Sequence, residues 1–402
     1  MITIDEAIDL IASQKVSPRY ETRCLEDALG AILAQDLEAK IDLPVFDNSA
    51  MDGYAVHFAD AGKEVEIIGT VMAGQSNDLA VSEGHAVKIM TGAKLPKGTQ
   101  AVVPIEDVED LGERVRLPQK IKSQANMRFA GEDVKKGEII AQSGQKLTAH
   151  TIGLIASQGY SYLRLFKPPK VAIFATGSEL KMHYESISGS QIYNSNTPSL
   201  LARCQELGCT TNFLGKIEDS PKAIEDAIAN ALDADLIITS GGVSVGEADY
   251  TKEAFKAMGM EILFSKIDIK PGKPTTLGKI GSTYVLNLPG NPLAAILNFE
   301  IFGRMLINKL SGRSDFYLRP IKARLAQKLT LKPGRDTVIP GTFDGECFHP
   351  LAKRAPGMVR PASMMDGFII ASKDASVLSK EVLFIPLWES VSVNREELIS
   401  GK

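Results

Sequence analysis

The sequence predicts an α/β multidomain protein. Its parts are a doubly wound central α/β domain, an inserted module that is mostly β, a mixed, partly helical N-terminal segment, and a small C-terminal β domain. Three observations predict this. Strand–turn–helix units repeat between residues 168 and 313, the pattern of a parallel sheet covered on both faces. Short β-prone runs broken by glycine and proline fill 44–130 and recur over 314–402. And 402 residues exceed what one hydrophobic core usually organises. The expected boundaries are 1–43 together with 131–167, then 44–130, 168–313 and 314–402.

Thr3 and Glu6 have capping-box spacing, and Ile4, Ala7, Ile8 and Ile11 fall on one helical face. VEIIGTVMAG (65–74), AVKIMTG (86–92) and AVVPIEDV (101–108) read as strands of the inserted module, with helical character returning near 147–158. KVAIFATG (170–177) is a buried strand ending in a glycine turn, and Asn196-Thr197-Pro198 opens a helix to about 207. TTNFLGKI (210–217) is the second strand. Ser220-Pro221 caps a helix whose Ala223, Ile224, Ala227, Ile228 and Ala231 repeat with a 3.6 period. DLIITSGG (235–242), GMEILFSKIDI (259–269) and TYVLNLPG (283–290) supply strands three to five, and a helix runs from Asn291 to about 310.

The net charge of −4 argues against a general nucleic-acid binder, which needs a broad basic face. Four cysteines without a CxxC pair and five scattered histidines disfavour a zinc site or a disulfide framework, so a reducing cytoplasm is expected. Asp5, Glu6 and Asp9 occupy the region where a signal peptide carries positive charge. No apolar run is long enough to span a membrane.

Ligands of a doubly wound sheet bind beyond the carboxyl ends of its strands. Three strands here end in turns suited to anions. These are Thr176-Gly177-Ser178, then Ser240-Gly241-Gly242 with Ser244, and Pro289-Gly290-Asn291-Pro292. Glycine lets the backbone approach a phosphate, and the helix that follows offers unpaired N–H groups. Each turn alone is better explained as strand punctuation; three on one edge favour a ligand. Lys266, Lys270 and Lys273 crowd the loop KIDIKPGKP (266–274), where two prolines prevent a helix. They read either as a solvated basic turn or as a cluster held for a polyanion. Glu179, Asp219, Glu247 and Asp249 each follow a strand end, and carboxylates beside phosphate turns suit Mg²⁺. For Asp219, capping the helix at 220 explains the residue equally well.

TGSEL (176–180), SGGVSVGEADY (240–250), KPGKP (270–274) and LPGNP (288–292) occur in the order and spacing of the molybdopterin molybdenumtransferases, the bacterial MoeA and gephyrin E-domain family, which this sequence resembles. DNSAMDGYAV (47–56), KIMTGAKLPKG (88–98), Arg128 and GEDV (131–134) extend the resemblance outside the central domain. It implies a MogA-like central domain and an enzyme that takes adenylylated molybdopterin and molybdate, inserts the metal into the dithiolene and releases AMP with the help of Mg²⁺. Molybdenum is then a substrate. The resemblance also implies an elongated homodimer in which the inserted module of one subunit caps the other's central domain, with Asp52 and Thr91 facing the partner's site. Transient partners would be the molybdopterin adenylyltransferase and acceptor molybdoenzymes.

By the same resemblance Asp249, Asp219, Glu179, Lys266 and Lys270 carry the chemistry. The three carboxylates hold the metal, and Lys273 and the glycine turns hold substrate. Arg128 and Asp133 match site positions, although a structural Arg–Asp pair explains them equally well. Arg335 in KPGRD and Ser363 in PASMMDG are the C-terminal candidates for the oxyanion. The sequence departs from the family at Leu293-Ala294-Ala295, where a serine often follows PGNP. Two other readings compete with this one: an adenylyltransferase acting on molybdopterin, and a docking scaffold. The extra domains count against the first and the intact charged residues against the second.

Overall fold

The computed structural model describes residues 1–241 and 250–401, with Lys252 by its backbone alone. The chain divides into two compact units, one of Met1–Gln35, Ser143–Ala149 and Tyr162–Lys402, the other of Asp36–Gln142 and His150–Ser161.

The first unit opens with helix α1 (Ile4–Ser13). Its capping box forms as the sequence predicts: the Thr3 hydroxyl accepts from the Glu6 N–H at 3.1 Å, and the Glu6 carboxylate accepts from the Thr3 N–H at 2.8 Å. The apolar face Ile4, Ala7, Ile8 and Ile11 packs into one core with Val171, Ile173 and Leu286 of the central sheet and Phe368 and Ile370 of the C-terminal region.

The central sheet contains β1 (Lys170–Thr176), β2 (Thr210–Ile217), β3 (Leu236–Ser240), β4 (Glu261–Ser265), β5 (Thr276–Ile280) and β6 (Thr283–Leu288), in the order β2-β1-β3-β6-β5-β4. The β1–β2, β1–β3 and β3–β6 pairs are parallel. Strand β5, absent from the sequence expectation, runs antiparallel to both β6 and β4. The five expected strands therefore share one direction, with an opposed strand inserted near one edge. Helices cover both faces, because alternate residues point opposite ways. Val171 and Ile173 meet α2 (Asn196–Glu206), while Ala172 and Phe174 meet α3 (Pro221–Ala229) and α4 (Tyr250–Ala257).

Two expectations are corrected here. The fourth strand does not extend to 269; Ile269–Lys270 leaves the sheet and pairs in parallel with Asp336–Thr337. The last helix is continuous but not uniform: α5 (Pro292–Asn298) passes through a π-helical stretch, Phe299–Gly303, into α6 (Arg304–Leu310).

In the C-terminal region five strands close into a ring. Asp336–Phe343 pairs with Cys347–Pro350, which pairs with Ile321–Leu325, then Glu381–Pro386, then Gly367–Ala371, which returns to Asp336–Phe343. Ile339, Phe348, Ile369 and Phe384 fill the interior. Closure removes exposed strand edges.

The second unit is built on a six-stranded sheet buried on both faces. Tyr54 and Val56 pack with Val65 and Val103 on one side, Ala55 with Val87 and Ile89 on the other. All four cysteines are free thiols. No described helix is long and apolar enough to cross a membrane.

Candidate active site

The three anion turns follow β1, β3 and β6, and these strands are adjacent in the sheet, so the turns stand side by side at its carboxyl edge. Local chemistry explains why. Gly241 has φ +101°, and a Cβ there would lie 2.4 Å from the Thr176 carbonyl oxygen, so only glycine lets the first two turns come together. Its N–H donates to the Leu288 carbonyl at 3.3 Å, tying the second turn to the third.

Asn196 completes the arrangement. Its side-chain amide, 8% exposed, donates to the Ser240 hydroxyl and to the Gly290 carbonyl, both at 2.8 Å. Ser240 Oγ in turn donates to the Pro289 carbonyl at 3.3 Å. Read in the sequence only as the start of a helix, Asn196 thus fastens two of the turns. The signal available was its place in a run of small polar residues after a strand-end loop. Asn196→Ala is expected to lower stability by about 1–3 kcal/mol, the cost of leaving buried partners unpaired, and to weaken substrate binding. Chemical denaturation alongside substrate titration checks both, and an unchanged denaturation midpoint contradicts the fastening role.

Of the carboxylates, Glu179 and Asp219 come together. Burial, and then the charge of Glu179, raise the Asp219 carboxyl above its ordinary range. Capping does not account for Asp219, because the Ser220 hydroxyl caps α3 by accepting from the Ala223 N–H at 3.4 Å. Two hard carboxylates with no other hydrogen-bond partner among the described residues fit Mg²⁺, which takes few protein ligands and retains water. Gly242, Ser244, Glu247 and Asp249 lie outside the described residues. Among the described residues no three His, Cys, Asp or Glu side chains gather as a metal cluster.

The lysine loop is rigid. Asn298, fully buried on α5, donates to the Pro271 carbonyl at 3.1 Å and to the Ala294 carbonyl at 2.7 Å, and accepts from the Thr275 hydroxyl at 3.0 Å. Gly272, at φ +110°, lies against that amide so closely that a Cβ would sit 1.8 Å from Nδ2. The Ile267 N–H donates to the Lys273 carbonyl at 2.9 Å, closing the loop on itself. Lys266, Lys270 and Lys273 stay exposed and form no ion pair among the described residues. The parallel pairing of Ile269–Lys270 with Asp336–Thr337 brings Arg335 alongside, and its Nη1 donates to the Ile269 carbonyl at 3.3 Å.

Ser363 is not gathered in this way. Its hydroxyl donates to the Arg360 carbonyl within its own short helix at 2.9 Å. The C-terminal region instead reaches the Pro289–Pro292 turn through Pro356, whose carbonyl accepts from the Leu293 N–H at 3.0 Å, with Gly357 against the Asn291 side chain. The sequence reading missed this approach; a basic pair, Lys353-Arg354, just before the Pro356-Gly357 turn was its one sign.

In the second unit Asn48–Ser49 and Gly53–Val56 are strands rather than a lone turn, and a Cβ on Gly53 would lie 2.1 Å from the Val103 carbonyl oxygen. Between them Asp52 accepts from the Thr91 N–H at 2.7 Å and hydroxyl at 2.6 Å, and these bonds lower its carboxyl below the ordinary range. The two residues form one exposed, fixed acceptor–hydroxyl pair. Arg128 is exposed in a strand paired with Asn48, Asp133 is exposed on a neighbouring loop, and no ion pair joins them, so the structural Arg–Asp alternative does not hold.

Residues 2–159 match the family model of the MoeA N-terminal region (domain I and II), and residues 172–309 that of a probable molybdopterin binding domain. A molybdopterin molybdenumtransferase of Staphylococcus aureus is 33% identical over 365 residues, 85% of this chain and 87% of that protein. The Staphylococcus epidermidis enzyme of the same name gives the same figures. A crystal structure of the molybdopterin biosynthesis MoeA protein from Pyrococcus horikosii superposes with a TM-score of 0.82 at 29% identity, covering 97% of this chain and all of that one.

Proposed function

Since the chain belongs to the MoeA family and is a molybdopterin molybdenumtransferase of molybdenum cofactor biosynthesis, we propose that its reaction is insertion of molybdate into the dithiolene of adenylylated molybdopterin, with Mg²⁺-dependent release of AMP. One observation carries the reading above the others: three anion turns, locked by Gly241 and Asn196, stand side by side at the carboxyl edge of the sheet. Adenylylated molybdopterin carries its charge on linked phosphates, and backbone N–H groups at such turns are the usual means of holding them.

Thr176, Gly177, Ser178, Ser240, Gly241, Pro289, Gly290, Asn291 and Pro292 bind the nucleotide and pterin phosphates in this reading; Gly242 and Ser244 join them on sequence grounds. The buried Thr176 hydroxyl has no partner among the described residues, which supports a polar ligand at this edge. Lys266, Lys270 and Lys273, with Arg335 beside them, attract and orient the molybdate dianion. Glu179 and Asp219 would hold Mg²⁺ together with Asp249, and the ion when bound offsets charge on the phosphate linkage whose cleavage frees AMP. Asp52, Thr91, Arg128 and Asp133 act from the second subunit of a homodimer. The cytoplasm is the proposed site of action, with the molybdopterin adenylyltransferase and acceptor molybdoenzymes as transient partners.

Asp219→Asn follows from the electrostatics. Burial and a neighbouring carboxylate make the Asp219 charge unfavourable in the folded protein. A carboxyl whose folded-state pKa is raised destabilises the fold once it ionises, so the neutral amide is expected to raise the melting temperature near pH 7 without Mg²⁺, and to weaken the Mg²⁺ dependence of turnover. Differential scanning calorimetry and Mg²⁺ titration read the two effects, and a lowered melting temperature contradicts the assignment. The adenylylating alternative has its own check. Given molybdopterin and ATP with Mg²⁺, the protein is expected to release no pyrophosphate; steady release would move it to that earlier step.

A further inference from the structure

At the opposite, amino-terminal end of the central strands lies a cavity of about 450 Å³, bordered by Pro168 and Pro169 just before β1 and by Gly208 just before β2. It takes no part in the chemistry above. Part of its wall is α6, entered through the π-helical stretch Phe299–Gly303, a local irregularity that often marks functional sites.

Arg304 lines this cavity and is 3% exposed. Its Nη1 donates to the Pro386 carbonyl at 2.7 Å and lies 3.4 Å from Glu300. Nε and Nη2, the two donors on one edge of the guanidinium, are buried and have no acceptor among the described residues. Asn308, one helical turn on and 6% exposed, also lines the cavity, and its side-chain amide makes no hydrogen bond among the described residues. Glu300 also pairs with Arg203 at 2.7 Å, and Arg203 pairs in addition with Glu206, another residue of the cavity wall, at 2.8 Å. Lys167, exposed at the rim, forms no ion pair among the described residues. Arg313 is matched by Asp315 and Glu389 and contributes no free charge.

An amide donor and an ammonium on one cavity, with a guanidinium in its wall, complement a carboxylate or phosphate. A volume of this size suits a small metabolite. We propose that this cavity is a binding site for a small organic anion. The ligand's carboxylate or phosphate accepts from the Asn308 amide and pairs with Lys167 at the mouth, with the Arg304 guanidinium in the wall behind.

Full-length protein titrated calorimetrically with succinate and with inorganic phosphate tests this. At least one is expected to bind in the millimolar range or tighter. Succinate alone assigns a carboxylate ligand, phosphate alone a phosphorylated one. Binding should persist in Lys270→Ala, which alters the transferase site and leaves the cavity intact. It should weaken about tenfold in Asn308→Asp, which places a negative charge facing the ligand, and in Lys167→Glu, whose exposed position leaves the fold unaffected. Failure of the wild type to bind either anion overturns the proposal. So does binding that disappears in Lys270→Ala, or that both cavity variants leave unchanged.

Discussion

Lys270→Ala is expected to reduce molybdate-dependent cofactor formation by about 10²–10³-fold, the usual range for removing one preorganised charge from a reacting site, with no measurable loss of stability. The argument begins with the loop. Asn298 fixes the Pro271 carbonyl and the Thr275 hydroxyl, and Gly272 is pressed against its amide. The lysines therefore stand on a frame that does not need to be organised when a dianion arrives. Lys270 also belongs to the two-residue pairing that places Arg335 next to it, so the central domain and the C-terminal ring jointly supply positive charge at one point. The side chain is exposed and makes no ion pair among the described residues, so its removal leaves the core untouched; exposed substitutions of this kind stay within about 0.5 kcal/mol. A solvated basic turn would behave otherwise, retaining full activity in the alanine variant. Lys270→Arg keeps the charge but changes its shape, and partial recovery is expected from it. Cofactor formation at rising molybdate concentration, with thermal unfolding measured in parallel, separates these outcomes.

Gly241→Ala carries the second large effect, on fold and site at once. At φ +101° an alanine is strained, and its Cβ would meet the Thr176 carbonyl at 2.4 Å. The atom it would meet is backbone, so no side chain can swing away to relieve the clash. Strain of about 1–3 kcal/mol and overpacking of similar size together predict a loss of about 2–6 kcal/mol. The surviving folded molecules would have their turns pushed apart, which predicts weaker substrate binding as well. Gly290 is the natural control. Its Cβ would meet nothing closer than the Gly241 Cα at 3.6 Å, an ordinary contact. Gly290→Ala is therefore expected to be far milder in denaturant unfolding, and equal effects at the two positions would refute the close-approach argument.

Local chemistry made much of the fold legible. The capping box at Thr3 and Glu6, the continuous apolar run of β1 and the glycine turns after β1 and β6 are all short-range signals, and each appears where the sequence put it. Strand β5 was missed for a specific reason. Gly278 reads as a strand breaker, yet it is there because a Cβ would lie 2.6 Å from the Glu261 carbonyl on β4, a contact that no local pattern reveals. The departure of Ile269–Lys270 toward residue 336 and the closure of the C-terminal ring are likewise long-range pairings. The same division runs through the site. Glycine turns and clustered lysines announce themselves by composition, whereas Asn196 and Asn298 act on partners tens of residues away. A buried asparagine at either end of a helix looks, in sequence, like any cap. Arg335 was legible as a basic residue in a turn, but its position beside Lys270 follows from a strand pairing that sequence does not encode locally.

The central claim is that one site couples loss of AMP to metal insertion. Its most direct test is a single-turnover incubation of purified protein with adenylylated molybdopterin, molybdate and Mg²⁺, following AMP and metal-loaded cofactor in the same samples. The account predicts that the two appear together in equal amounts and that both require molybdate. Steady AMP release without cofactor, or cofactor formed while the adenylylated substrate stays intact, would contradict it.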